Sequence, residues 1–517
     1  MRKSVLIAVF LFIAVPSKAQ NVYIAQNAVG GANGADCADA YPVSFFNNSA
    51  NWPNPIGPGT TVHLCGTITA ATANTNLLTF QGSGTSTEPI TLYFEPGAIL
   101  QSPAFGKDGN SAISAGGNWH IIDGGTNGVI RNTANGSALA NQINTRALQL
   151  TGCNNCIVRN LTIANLYVHS STSDSTIGSA EAVYFWGNNT SVYNCTFHDI
   201  MTGIYEGYSN DSGNQFYNNN IYNVNHGIEI GNSGSHSVTG TAVYGNQIHD
   251  YAVWDTSVDA YHHDGVFFYG VNPATNSNGL VYNNYFYGSF GNNATAHLYF
   301  SGAVINLTVF NNVFIGQSGG GNMALVEFGT SSEGMTTPNL YNNTMIGPAS
   351  NCLQIGSLSG VTFENNVVSG CTNLMYTSGT VTFTAIDYNQ YGNASGDAWQ
   401  GSLCPGGRYC ASFAQWQAAY GEAHSAYNSN QKLSSTGVPL SGSSVIEQGA
   451  NLTFLGVAAL NLDSTAGSTR TSVLRPPGTC TTQGTPSCWD VGAYQFGASA
   501  TVPPAPAGLT ATVEPGS

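Results

Sequence analysis

Apolar and polar residues alternate with a period of two in many short runs of this chain, and the runs recur. Between Thr190 and Val368 one six-residue pattern keeps returning: a β-former, an aromatic residue, two asparagines, any residue, then an aliphatic residue or Phe. It reads VYNCTF at 192–197, FYNNNI at 216–221, VYGNQI at 243–248 and VYNNYF at 281–286. It continues as VFNNVF at 309–314, LYNNTM at 340–345 and FENNVV at 363–368, with VRNLTI at 158–163 as a weaker first copy. The fourth positions, Leu161, Cys195, Asn219, Asn246, Asn284, Asn312, Asn343 and Asn366, lie 23 to 38 residues apart. Self-similarity at that spacing predicts a solenoid.

A second strand accompanies each copy: a small residue followed by alternating apolar positions. Examples are Ala147-Leu148-Gln149-Leu150, Ala182-Val183-Tyr184-Phe185, Gly203-Ile204-Tyr205-Glu206, Gly227-Ile228-Glu229-Ile230, Gly265-Val266-Phe267-Phe268 and His297-Leu298-Tyr299-Phe300. Two strand types per repeat predict parallel strands, whose crossover connection is the rest of the coil. No ten-residue amphipathic helix separates them, which argues against an alternating α/β fold. Strands at 60–64, 89–94 and 120–124, punctuated by Gly and Pro, predict the entry to the coil. A short helix is predicted at 412–421, stopped by Gly421.

These repeats resemble the right-handed parallel β-helix proteins of the pectin-lyase-like type. The asparagine column resembles the asparagine ladder of that fold, in which stacked Asn side chains bond along the axis at a tight turn; Asn also tolerates the left-handed backbone there. Asp490-Val491-Gly492-Ala493-Tyr494-Gln495 resembles the ending of many secreted bacterial members. The resemblance spans about residues 22–496 and implies an all-β, right-handed parallel β-helix with a short C-terminal helix and cap. It leaves activity open, because the fold hosts lyases, hydrolases, epimerases, adhesins and binding proteins.

Residues 1–19 read as a secretory signal: Arg2 and Lys3, an apolar core, then Ser17-Lys18-Ala19. The β-helix domain is expected at 20–497. Residues 498–517 read as a Pro/Ala-rich linker and the start of a fibronectin- or immunoglobulin-like module. No stretch is long and apolar enough to span a bilayer comfortably. The net charge of −15, with no basic stripe, excludes nucleic acid as a partner. Eleven cysteines in an exported chain predict disulfides. The expected pairs are Cys37/Cys65, Cys153/Cys156, Cys352/Cys371, Cys404/Cys410 and Cys480/Cys488, leaving Cys195 as a buried thiol.

Stacked coils lie about 4.8 Å apart, so equivalent positions in neighbouring coils touch. The position before each small residue holds Arg146, Glu181, Thr202, His226, Asp264 and Ala296; the outward position two residues after the small one holds Gln149, Tyr184, Tyr205, Glu229, Phe267 and Tyr299. A carboxylate in an aromatic stripe suits a sugar site. The longest step, 38 residues from Asn246 to Asn284, carries His249, Asp250, Trp254, Asp255, Asp259, Tyr261, His262, His263 and Asp264. A plainer reading makes Asp264-Gly265 only the turn that opens a coil, with His226 its stacking partner. Glu206 falls in an otherwise apolar column; it is either a general acid with a raised pKa or, as expected here, faces solvent where the strand ends early.

No Lys or Arg occurs from Asn160 to Gly407. A polyanionic substrate would then meet an acidic surface, so a neutral glycan fits better. The expected function is a secreted glycoside hydrolase-like protein acting on a polysaccharide or cell-surface glycan. Its catalytic candidates are Glu229, Asp264, His226, His263, Asp259 and Glu181; its substrate-binding candidates are Tyr184, Tyr205, Trp254, Tyr261, His262 and Phe267. Two alternatives stand: a non-catalytic adhesin, and a lyase or epimerase for uronates. No cofactor is required, although His226, Asp259, His262, His263 and Asp264 form a set that suits a divalent metal; calcium would want mostly oxygens.

Overall fold

Alternation places one apolar side chain per strand in a common interior, and the stacking of coils turns these into continuous columns. Leu148, Val183, Ile204, Ile228, Val266, Leu298 and Val326 are successive register partners, and all are fully buried. A second column runs Val192, Phe216, Val243, Val281, Val309, Leu340 and Phe363. A third runs Phe197, Ile221, Ile248, Phe286, Phe314, Met345 and Val368. Every strand–strand ladder among the described residues is parallel, and the large sheet takes in 35 strands. The chain is a right-handed parallel β-helix. The computed structural model describes residues 20–134, 143–166, 179–232, 234–252, 262–291, 294–317, 323–329, 334–427 and 430–497. The leader at 1–19, the tail at 498–517, and Trp254, Asp255, Asp259 and Tyr261 lie outside the described residues.

The strands that matter for the site are β1 (Thr145–Asn154), β2 (Ala180–Trp186), β3 (Thr196–Glu206), β4 (Asn220–Asn232), β5 (His263–Gly270), β6 (Ala294–Gly302) and β7 (Ala324–Phe328). Each pairs in parallel with the next.

The repeat's two asparagines divide the work of the turn. The first takes the left-handed conformation: Asn194, Asn218, Asn283, Asn311, Asn342 and Asn365 have φ of 52–60°, and Gly245 fills the place in one coil. The second builds the ladder. Asn246 donates its N–H (3.0 Å) and Nδ2 (2.9 Å) to Asn284 Oδ1, and Asn284 does the same to Asn312 at 3.0 Å. The chain of bonds runs from Cys195 through Asn366 to Asn389, one rung beyond the sequence pattern.

The helix α1 (Phe413–Tyr420) forms where expected, capped by Ser412 and ended by Gly421 in the left-handed conformation. The segment after it is more than a cap. It runs back along the asparagine turns as a strap: Ala450 pairs with Asn365, Leu462 O accepts from Asn311, and Ala493 N–H donates to Thr344. All five disulfides pair as expected. Cys195 is a buried free thiol whose pKa burial pushes up to about 12.

Glu206 corrects the sequence reading. It is fully buried between Phe185 and Ile230, not solvent-facing. Asn214 Nδ2 (2.6 Å) and Thr241 Oγ1 (3.0 Å) donate to its carboxyl group, which makes the interior position tolerable.

Candidate functional site

The small residue that opens each strand fixes the geometry of the candidate face. A Cβ on Gly203 would lie 2.5 Å from Gly227 O, and one on Gly227 would lie 2.4 Å from Gly265 O. Those positions must therefore be glycine, because the next coil's carbonyl presses against them. The preceding column (Glu181, Thr202, His226) and the outward column (Tyr184, Tyr205, Glu229, Phe267) then line one cleft of about 260 Å³. Arg146, Ser179, Met201, Tyr208, His262 and Tyr269 complete its walls.

One end of the cleft is a closed polar knot. Arg146 Nε lies 3.1 Å from Glu181 Oε2, its NH2 3.3 Å from Ser179 Oγ, and its NH1 3.2 Å from Asp108 and 3.4 Å from Gln149. Ser179 Oγ donates to Glu181 Oε1 at 2.6 Å. The guanidinium also sits 3.3 Å from the centre of the Tyr184 ring, a cation–π contact. Burial raises the Glu181 pKa, against the opposing pull of Arg146 and Ser179.

The other end gathers His226, His262 and Asp264, with one ligand-type atom of each within 4.8 Å of the others. His262 Nδ1 is 2.6 Å from Asp264 Oδ2, and Ala296 N–H donates to Oδ1 at 3.2 Å. His226 Nε2 is 3.6 Å from Asp264 Oδ2. Burial drives the His226 pKa well below its usual value, with the neighbouring His262 and His263 adding to the effect, so its imidazole is neutral at pH 7. Burial also works to lower the His262 pKa, but the hydrogen bond and charge of Asp264 outweigh it and the pKa is raised. This donor set of two imidazoles and a carboxylate fits a transition metal better than calcium.

Glu229 stands electrostatically between the two ends. Burial, then the charge of Glu181, push its pKa up to about 8; His262 opposes and Asp264 adds. Glu229 is therefore mainly a neutral carboxylic acid at pH 7, aimed into the cleft.

Glu181, His226, Glu229, His262, Tyr184, Tyr205 and Phe267 thus share one cleft. Asp264 is fully buried behind His262, and His263 is fully buried and does not line the cleft. Trp254, Asp259 and Tyr261 lie outside the described residues. The described start of the long step is structural: His249 stacks between Tyr222 and Tyr287, Asp250 turns the chain at φ 49°, and Tyr251 OH bonds His297 at 2.7 Å.

The aromatic stripe is less open than expected. Tyr184 stacks on Tyr205 at 5.3 Å and Phe267 on Tyr299 at 5.1 Å, so one face of each is covered. The exposed ring is Tyr208, 56% accessible at φ 72°, tilted against Tyr184 and Tyr205. A bulky residue held in the left-handed region is uncommon and costs energy, which marks it for attention. Sequence reasoning missed it because no pattern announces a positive φ at tyrosine.

Arg146 stands in the column legible from the sequence, one coil before the span free of Lys and Arg, so the lack of cations from Asn160 onward does not extend to this end of the cleft. Glu327 was not foreseen, because it lies one coil beyond the last copy of the second strand. It follows Phe267 and Tyr299 in register, Gln354 Nε2 donates to it at 2.7 Å, and burial and Asp264 raise its pKa to about 7.

No protein-family model matches the chain, and no curated protein matches it in sequence. Among solved structures it is similar to pectate lyase Pel9A, with 15% identity over 93% of this chain and 97% of that one, at a TM-score of 0.43. It is also similar to the GH136 lacto-N-biosidase from Eubacterium ramulus, with 13% identity over 73% of this chain and 67% of that one, at 0.45. A third is PfbA, a surface adhesin of Streptococcus pneumoniae, with 15% identity over 68% and 82%, at 0.38.

Proposed function

We propose that this protein is an exported enzyme that hydrolyses a glycosidic bond in a neutral polysaccharide or cell-surface glycan. The observation that carries the reading is the pairing of two unlike carboxyl groups in one cleft. Glu229 keeps its proton because burial, then the charge of Glu181, outweigh the opposing pull of His262. Glu181 is bonded to Arg146 and Ser179, which act against the raising effect of burial, and is assigned the ionised role for that reason. Environments that push two carboxyl groups apart give one acid and one base or nucleophile, the minimum for glycoside cleavage. Glu229 would protonate the leaving oxygen, while Glu181 would activate water or attack the anomeric carbon.

The charge of the cleft favours a neutral substrate. Arg146 is the single Lys or Arg lining it among the described residues, and Glu181, Asp108, Gln149 and Ser179 occupy its donors. A uronate would find no unengaged cation there. Tyr208 offers its exposed ring to a sugar face, and His226 and His262 border the same space. Five disulfides fit an oxidising, extracellular or cell-surface setting.

The test is a panel of polysaccharides and oligosaccharides, read by released reducing ends. Glu229→Gln is expected to lower kcat/KM by about 10²–10⁴-fold on the substrate found. The alkaline limb of the wild-type profile should fall as pH rises through about 8, where Glu229 loses its proton, and should vanish in the variant. Full activity in both Glu229→Gln and Glu181→Gln would sink the assignment. A rise in ultraviolet absorbance from unsaturated product would replace hydrolysis by elimination. Saturable glycan binding without product would replace it by adhesion.

A further inference from the structure

We propose that His226, His262 and Asp264 bind one transition-metal ion of the zinc type at the end of the cleft opposite Arg146. The three side chains come from neighbouring coils: His226 and Asp264 are direct register partners on β4 and β5, and His262 immediately precedes β5. Their ligand-type atoms lie within 4.8 Å of one another.

His226 points most clearly to a missing ligand. Its side chain is 7% exposed, it lines the cleft, and neither ring nitrogen has a hydrogen bond. A buried imidazole ordinarily satisfies both nitrogens, one as donor and one as acceptor. The 3.6 Å between its Nε2 and Asp264 Oδ2 is too long for a good hydrogen bond. It is close to the edge of a tetrahedron around zinc, about 3.4 Å for bonds of about 2.1 Å.

The surroundings hold the ligands ready. Asp264 Oδ1 is anchored by Ala296 N–H, which leaves Oδ2 for the ion. The rings of His226 and His262 pack on Phe267, and His262 also meets Tyr299 edge-on. Such outer partners orient metal ligands. Without the ion, His262 Nδ1 and Asp264 Oδ2 approach to 2.6 Å and share a proton. Binding replaces that proton by the metal and opens the pair by roughly 0.8 Å to reach the tetrahedral edge. Two imidazoles and one carboxylate disfavour calcium and magnesium, which prefer oxygen. Three protein ligands leave a position open for a substrate oxygen, as catalytic rather than structural sites do.

The site shares a cleft with Glu229 but does not depend on its role, so binding is measured without any glycan. The full-length protein, stripped with a chelator, is titrated with zinc by calorimetry, and bound metal is counted by elemental analysis. The expected result is one zinc per chain, with His226→Gln and His262→Gln each weakening binding at least about 30-fold, in line with loss of a ligand. His249→Gln, in the stacked turn, should leave uptake unchanged. Cobalt(II) substitution in the wild-type protein should give the intense visible bands of a low-coordinate nitrogen and oxygen site, a readout that survives any misfolded variant. The proposal is overturned if the wild-type protein takes up no stoichiometric zinc. It is equally overturned if both glutamine variants bind as tightly as wild type, if calcium binds as well as zinc, or if cobalt shows only the weak spectrum of the hexaaqua ion. None of these outcomes bears on Glu229→Gln, whose effect is read from glycan cleavage.

Discussion

Glu206 places an acid between Phe185 and Ile230, and two side chains borrowed from turns decide what it costs. Asn214 and Thr241 supply donors, but no cation compensates the charge, so burial holds the pKa at about 8 against 4.5 for an ordinary glutamate. The folded state therefore keeps a proton that the unfolded chain releases. Its stabilising contribution is complete below about pH 4.5 and is lost as pH rises through about 8. Asp211 nearby is raised to about 7 by burial and adds a slope of the same sign. Glu206→Gln keeps the size and the polar contacts but cannot ionise. Denaturant melts should show the variant matching or trailing wild type at pH 4.5 and exceeding it at pH 8.5. The difference should change by a few kcal/mol between the two, since each tenfold gain in proton affinity on folding is worth about 1.4 kcal/mol. A difference that stays flat with pH would mean that Glu206 is ionised in the fold.

At the scale of the turn, two adjacent asparagines do unlike work, and substitution should separate them. Asn283 supplies a left-handed backbone at φ 54°, and the same place is held by Gly245 one coil earlier. Asn283→Gly should change stability by less than about 0.5 kcal/mol, since glycine adopts that conformation freely. Asn284 is fully buried; it donates to Val243 O and Asn312 Oδ1 and accepts from both the N–H and Nδ2 of Asn246. Asn284→Ala strands those buried groups and should cost about 2–4 kcal/mol by chemical unfolding. Equal costs at the two positions would refute the division. This is also where the sequence was most legible: the repeat carried the ladder, the register of every strand column and the shared face of His226 and Glu229. It could not carry angles or distant partners. The burial of Glu206 depends on Asn214 and Thr241, which lie in turns outside the pattern. Arg146 is tied to Glu181 across 35 residues, and the path of the strap rests on contacts between residues 85 to 164 apart. Periodicity within a repeat holds no record of such contacts.

For the whole molecule, the strap makes the two flanks of the coil unequal. Outward positions that it leaves uncovered carry tyrosines stacked coil on coil, Tyr193, Tyr217 and Tyr244, and Tyr282, next in the stack, already packs against the strap's edge. Where it lies on the coil, the same column becomes Phe310 and Tyr341, buried against Leu452, Leu460 and Trp489. Arg475 fastens it. Fully buried, the guanidinium donates to Gly492 O (3.1 Å), Ala493 O (2.9 Å) and Asn311 Oδ1 (3.0 Å) and lies over the Trp489 ring. Burial lowers its pKa to about 10, which still leaves it charged at neutral pH. Coils contact chiefly their neighbours, so a solenoid can lose a peripheral element without losing the stack. Arg475→Ala takes the guanidinium donors from Gly492 O and Asn311 Oδ1, leaves Ala493 O only the Ser464 N–H, and removes the charge facing Asp463 and Asp490, a change of about 3–5 kcal/mol for a broken buried network. Limited proteolysis should then cut within 440–497 at least tenfold faster, while the coils up to Tyr391 stay resistant and zinc uptake at His226 and His262 is retained. Cleavage spread evenly along the chain would instead make the strap part of the cooperative core, and the open face could then not be altered independently of the sealed one.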